Sequence, residues 1–220
     1  SDGTGTFAEK VTSTANTHEA SAGYKWVEEN GVYVLTVIPY VAEANGVKYE
    51  KLEDAIAAGG EVKMLADYEI TEVIKITNTV SLDLNGHKVT GPDDGKANWY
   101  AFVVDGGNFT LKDSVGTGEL YAKCFGVETK SGSFTMESGK ITATKNKTIG
   151  TAIVNYGGTV TVNGGTMSGA NFAVYTCGYF GEAETSILGG TITGGVACPD
   201  TLSDGTGTFA EKVTSTANTH

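Results

Sequence analysis

A period of about 25 residues runs through the middle of this chain, and few folds accommodate it. The segments 82–91 (Leu-Asp-Leu-Asn-Gly-His-Lys-Val-Thr-Gly), 133–143 (Ser-Phe-Thr-Met-Glu-Ser-Gly-Lys-Ile-Thr-Ala), 159–169 (Thr-Val-Thr-Val-Asn-Gly-Gly-Thr-Met-Ser-Gly) and 184–194 (Glu-Thr-Ser-Ile-Leu-Gly-Gly-Thr-Ile-Thr-Gly) superpose. A further copy, 108–111 with 119–121, is split by the insert Lys-Asp-Ser-Val-Gly-Thr-Gly. The superposition equates Leu82, Phe109, Phe134, Val160 and Thr185, at spacings of 27, 25, 26 and 25. Such a period denotes stacked units, each unable to bury its apolar face alone.

Every copy has the same internal plan. A short apolar run comes first (101–104, 125–129, 152–155, 172–176), then a glycine corner (Gly106-Gly107, Gly132, Gly157-Gly158). An alternating run follows, as in Phe134/Met136 and Val160/Val162, and a second corner leads to a third run carrying Val89, Leu120, Ile141, Met167 or Ile192. Alternation with period two and glycine punctuation is the signal of short strands. The chain holds 31 Thr and 31 Gly but only 3 Pro, which suits strands joined by tight corners. Three strands and three corners per repeat predict one rung of a parallel β-helix, with equivalent residues about 4.8 Å apart from rung to rung.

With these repeats the chain resembles the right-handed β-helix proteins of pectin-lyase-like fold. More narrowly, it resembles the non-catalytic rungs of large repetitive bacterial cell-surface and extracellular proteins, where stretches like Leu-Asp-Leu-Asn-Gly-His-Lys-Val-Thr-Gly are frequent. The resemblance covers roughly 46–195. It implies an all-β chain with a right-handed parallel β-helix of about five rungs and an extracellular or cell-surface location. Upstream, Leu52, Ala55 and Ile56 recur at i, i+3 and i+4 before Gly59-Gly60, which predicts a short amphipathic helix at about 50–58. The resemblance implies that this helix plugs the open end of the coil. Residues 24–27 and 32–37 flank Glu-Glu-Asn-Gly, a β-hairpin signal. The expected organisation is therefore a hairpin or junction segment at 1–45, the β-helix at 46–195 and a junction segment at 196–220.

The ends carry a second repeat. Residues 1–18, Ser-Asp-Gly-Thr-Gly-Thr-Phe-Ala-Glu-Lys-Val-Thr-Ser-Thr-Ala-Asn-Thr-His, recur unchanged as 203–220. Three readings are open: a tandem array with a period of 202 residues, a segment duplicated by hand, or an intramolecular repeat of this segment alone. After Gly194 no second capping helix is visible, so the last rung is expected to leave an open row of hydrogen-bonding groups. In an array a following unit covers it, and head-to-tail contact between unlike surfaces gives a filament. The expected anchors are Phe7, Val11, Phe209 and Val213, with Trp26 and Tyr33 of the hairpin.

Charge and composition remove other classes. The formal net charge is −11 and all 15 basic residues are Lys, so neither a nucleic-acid groove nor bidentate Arg clamps are expected. No run of about 18 apolar residues is present, so no membrane span is expected. The opening residues lack the basic start and apolar stretch of a signal peptide. The sequence does not begin with Met and reads as a piece of a longer or processed chain.

Candidate chemistry is sparse. The histidines are His18, His87 and His220, the first and last being one site duplicated. His87, beside Gly86, reads as a solvated corner residue. Polysaccharide lyases of the resembled fold use a carboxylate cluster for Ca²⁺ and an Arg or Lys base. Here Asp83, Asp105 and Asp113 fall at different rung positions, and the adjacent Asp93-Asp94 read as loop formers. The three cysteines Cys124, Cys177 and Cys198 show no CxxC spacing and read as inert thiols. We expect no catalytic residue, no metal site and no cofactor. Aromatic residues in two inserts, Trp99 with Tyr100 and Tyr179 with Phe180, admit wall packing, unit–unit contact or glycan stacking. The inserts leave different corners of the rung. The expected function is a non-catalytic structural repeat unit of a bacterial fibre or surface adhesin whose partner is its own neighbouring unit. The alternative is a carbohydrate-binding or inactive lyase-like module.

Overall fold

A computed structural model describes residues 6–7, 20, 22–30, 32–93, 100–145, 149–197, 206–209 and 214–215, with the backbone alone at 6–7, 32, 197, 206–209 and 214–215. The chain divides into two compact units, 1–40 and 41–220.

The first unit holds the expected hairpin. Tyr24–Glu29 and Val32–Val37 run antiparallel, with Glu29 opposite Val32, so two residues make the turn. Asn30 takes φ 53°, as a type I′ hairpin turn requires. The other edge of Val32–Val37 carries Thr6–Phe7, antiparallel, with Thr6 on Val34 and Phe7 on Tyr33. In the order Thr6–Phe7, Val32–Val37, Tyr24–Glu29, the N-terminal strand is at the edge.

The second unit is a β-solenoid of about five turns, mostly parallel, with one short helix. Three parallel ladders run along it. The first stacks Ile74, Phe102, Val127, Ile153, Val174 and Val196. The second stacks Val80, Phe109, Phe134, Val160, Thr185 and Gly207. The third stacks Tyr68, Val89, Leu120, Ile141, Met167 and Ile192. Ladder side chains such as Phe109, Phe134 and Leu120 are fully buried and form one continuous core. One equivalence differs from the sequence superposition. Leu82 pairs with Leu111, and the residue level with Phe109 is Val80.

Glycine makes the corners possible by absence of volume as well as by φ. Gly132 sits at φ 84°, and a Cβ there would lie 2.1 Å from the carbonyl oxygen of Gly107 on the preceding rung. The same holds one rung on, where a Cβ on Gly158 would lie 2.4 Å from the Gly132 oxygen. Backbone therefore stacks directly on backbone at this corner, and any side chain there would force the rungs apart.

The N-terminal end of the coil is covered by its own residues. Ala42–Ala44 and Val47–Tyr49 form a small hairpin around Asn45 (φ 51°) and Gly46 (φ 78°). Ala42–Ala44 then lies antiparallel on Gly60–Met64, Ala42 on Met64 and Ala44 on Val62. Helix α1, Leu52–Ala58, buries Leu52, Ala55 and Ile56 in the core. The Gly59 N–H donates to the Ile56 oxygen at 3.0 Å, closing the last turn. The Asn78 side-chain amide donates to the oxygens of Ile56 (3.1 Å) and Ala57 (3.2 Å), tying the cap to the first complete rung.

Candidate assembly edge and aromatic surface

The other end of the coil is where the duplicated segment lies. Thr206–Phe209 adds to Ala183–Ile187 in parallel, with Thr206 on Glu184, Gly207 on Thr185, Thr208 on Ser186 and Phe209 on Ile187. Thr214–Ser215 adds likewise to the third ladder, Thr214 on Thr191 and Ser215 on Ile192. Segment 203–220 thus continues two of the three ladders by one more rung. Among the described residues no strand lies beyond it. The anchors Phe209 and Phe7 fall on described strands, one parallel on the coil and one antiparallel on the hairpin. Val11 and Val213 lie outside the described residues. Trp26 pairs with Leu35, and the Tyr33 hydroxyl donates to Glu28 Oε2 at 3.0 Å.

The interior changes character towards this edge. The second ladder passes from Phe109 and Phe134 to Val160, Thr185 and Gly207, losing volume at each step. The first ladder replaces Ile76 and Val104 by Thr129, Asn155 and Thr176, all buried. Asn155 Nδ2 donates to the Glu184 oxygen (2.9 Å) and to Thr185 Oγ1 (3.1 Å), and the Thr176 and Thr185 hydroxyls are 2.7 Å apart. Buried polar groups need such partners, and here the amide of one rung fixes the backbone of the rung that receives the duplicated segment. Among the described residues, Thr129 Oγ1 is the exception, fully buried with no hydrogen-bond partner.

A second feature covers the outer face of the first ladder. Cys124, Phe125 and Val154 form a cluster with Tyr100, Ile149, Tyr156 and Tyr175, separate from the inner core. Tyr100 stacks on Phe125, one rung on, with ring centres 4.7 Å apart. Tyr156 is the centre of the group: it shares a hydrogen bond with Tyr100 and lies about 6 Å from the rings of Tyr175, Tyr179 and Phe180. Tyr100 of one insert is thereby linked across one surface to Tyr179 (70% exposed) and Phe180 (53% exposed) of the other. Trp99 lies outside the described residues. Sequence reading missed Phe125, Tyr156 and Tyr175 because they stand on or beside strands. The available signal was spacing for Phe125 alone, which follows Tyr100 by one rung of 25 residues.

Glu128 faces outward beneath this surface and is only 3% exposed. Its charged neighbour is Lys130, Nζ to Oε2 3.8 Å, and the same ammonium sits 5.3 Å from the Phe180 ring centre. Burial raises the Glu128 carboxyl above the usual carboxylate range. Lys130 opposes the shift and Asp105 adds to it. Burial also raises the hydroxyls of Tyr100 and Tyr156, so both remain protonated donors at neutral pH.

The remaining candidates organise corners. Asp113 is buried, and its carboxylate accepts the N–H of Gly86 (2.7 Å) on one rung and of Gly118 (2.6 Å) on its own. Its backbone N–H donates to Ser138 Oγ on the next rung, 2.8 Å away. Asp83 accepts from Asn85 and Ser114. Burial works to raise its carboxyl, but these bonds and the Lys112 charge outweigh that and hold it below the usual range. Asp105 takes a hydrogen bond from Ser131 at 3.3 Å. His87 Nδ1 lies 3.3 Å from Asp67 Oδ1, and Asp93 pairs with Lys123. Asp94, His18, His220 and Cys198 lie outside the described residues. Cys124 and Cys177 are both buried. Among the described residues no three His, Cys, Asp or Glu side chains gather as a metal site, and no helix is long and apolar enough to cross a membrane.

Comparison with protein-family models, with curated proteins and with solved structures finds no match for this chain.

Proposed function

We propose that the chain is a non-catalytic structural repeat unit of an extracellular bacterial fibre or surface adhesin, with a right-handed, pectin-lyase-like coil, joined head-to-tail through segment 203–220. The observation that carries this reading is the parallel docking of Thr206–Phe209 on Ala183–Ile187. In an array of period 202 these residues are the opening of the next unit, so each unit finishes the ladders of its predecessor. The surplus of acidic charge keeps such fibres soluble and apart. The test is a chain of two successive 202-residue periods followed by the 18-residue segment. Stacked units couple through their interface. A thermal midpoint above that of the 220-residue chain supports the junction, and an identical midpoint counts against it.

The aromatic surface favours a second reading, a carbohydrate-binding or inactive lyase-like module. Rings such as Tyr179 and Phe180 offer stacking faces, with the Lys130 ammonium 5.3 Å from the Phe180 ring as a polar group beside them. A glycan array probed with the full chain and with Tyr179→Ala tests it. Binding lost in the variant supports a sugar site, and no binding by the full chain ends it.

A further inference from the structure

One sequence occupies two places in this molecule. As 206–209 it is a parallel strand on the last rung. As 6–7 it is an antiparallel edge strand on the hairpin. The two placements use different partners and do not compete for the same edge. Thr6–Phe7 pairs with Val32–Val37 on one side, and no described strand lies on its other side. The last rung, in turn, accepts a strand of this composition, because it holds one.

We infer that the edge formed by residues 184–187 and 191–192 is a strand-accepting site, and that its occupant between molecules is residues 1–18 of a second copy. The register transfers directly: Thr4 on Glu184, Gly5 on Thr185, Thr6 on Ser186 and Phe7 on Ile187, then Thr12 on Thr191 and Ser13 on Ile192. The incoming strand keeps its own hairpin on its far edge. One sheet then runs from the coil of one copy, through the shared strand, to the hairpin of the next. Addition of a strand in this way draws on main-chain hydrogen bonds for affinity. It also repeats head to tail without closing. This rests on the proposed junction and adds that the junction can form between separate chains.

The 220-residue chain carries its own competitor. Eight residues, 198–205, tether Thr206–Phe209 to Thr191–Ala197. A short tether gives an effective concentration of about a millimolar. The tethered copy therefore holds the edge against a second molecule at ordinary concentrations, and acts as a built-in chain terminator.

The test uses the full chain with Gly207→Pro and Thr208→Pro. Adjacent prolines remove an N–H from whichever edge of the strand pairs, and so release the tethered copy. By sedimentation velocity the parent chain is monomeric, and the variant forms concentration-dependent oligomers. The free peptide of residues 1–18 returns the variant to monomers and binds it at least about tenfold more tightly than it binds the parent. Adding Gly5→Pro and Thr6→Pro abolishes the oligomers and leaves peptide binding intact. The far-UV spectrum of this fourfold variant reports that the coil persists. A variant that binds the peptide yet stays monomeric overturns donation between chains and leaves the proposed junction standing. Equal peptide affinity for variant and parent overturns the accepting edge itself, and oligomers that survive the N-terminal prolines overturn residues 1–18 as the occupant between molecules.

Discussion

Phe209 lies one strand beyond Ile187 in the same parallel register that places Ile187 on Val162. Phe7, the same residue of the same 18-residue segment, faces Tyr33 across an antiparallel pair. Strand formation in this segment is thus set by the edge it meets, as β-propensity generally depends on neighbours. The segment is short, polar and rich in Thr and Gly, which lets it fit two surfaces.

Thr129 supplies a clean stability test. Its hydroxyl is buried without a partner, between Val104 and Asn155 in the inner ladder. Thr129→Val keeps the shape and removes the unpaired group, and we expect a gain of about 1 kcal/mol. Urea denaturation checks this as a higher midpoint at an unchanged slope.

Two glycines separate backbone strain from stacking. Gly116 takes φ 94° with open space, nothing within 4 Å, where a Cβ would stand, whereas Gly132 takes φ 84° with the Gly107 oxygen 2.1 Å from that position. Gly116→Ala carries the cost of the left-handed conformation alone, about 1–2 kcal/mol. Gly132→Ala carries that cost and a clash, and is expected to lose roughly 3 kcal/mol or more. The difference between their denaturation midpoints is the measurement. Equal losses would count against direct backbone stacking.

One side-chain amide ties the C-terminal end of the cap helix to the rung below it. Asn78→Ala removes both bonds to the C-terminal carbonyls of α1 and is expected to cost about 1–2 kcal/mol. Hydrogen exchange should show the amides of Leu52–Ala58 losing protection before those of Phe125–Met136.

Glu128 sets a pH dependence of opposite sign to that of most carboxylates. Its folded-state affinity for protons is raised by burial. The native state therefore binds more protons than the unfolded chain once pH exceeds the ordinary glutamate value, and stability falls as pH rises through that window. Glu128→Gln is expected to raise the thermal midpoint at pH 7 and to match the parent at pH 3, where both are neutral. A variant no more stable at pH 7 would show that Lys130 offsets the burial.

Much of this architecture is legible in the sequence, and the exceptions share a cause. The apolar runs, the corners and the helix around Leu52, Ala55 and Ile56 show in alternation, glycine and i, i+3, i+4 spacing. Period-two alternation cannot detect a slip of two residues, because the same faces stay in and out. Hence the superposition sets Leu82 level with Phe109 where the register uses Val80. The hairpin of Ala42–Ala44 and Val47–Tyr49 is hidden because three-residue strands are too short to alternate, although Asn45-Gly46 marks its turn. The aromatic surface is half visible. Tyr100, Tyr179 and Phe180 stand out in their inserts, while Tyr156 and Glu128 become part of it only through rung-to-rung stacking.

The most direct measurement is the set of cross-strand nuclear Overhauser effects between 206–209 and 184–187 in the 220-residue chain in solution. The account predicts parallel-pattern contacts from Hα to HN linking Thr208 with Ser186 and Phe209 with Ile187. Random-coil shifts for 203–220, without any contact to 184–187, would contradict it.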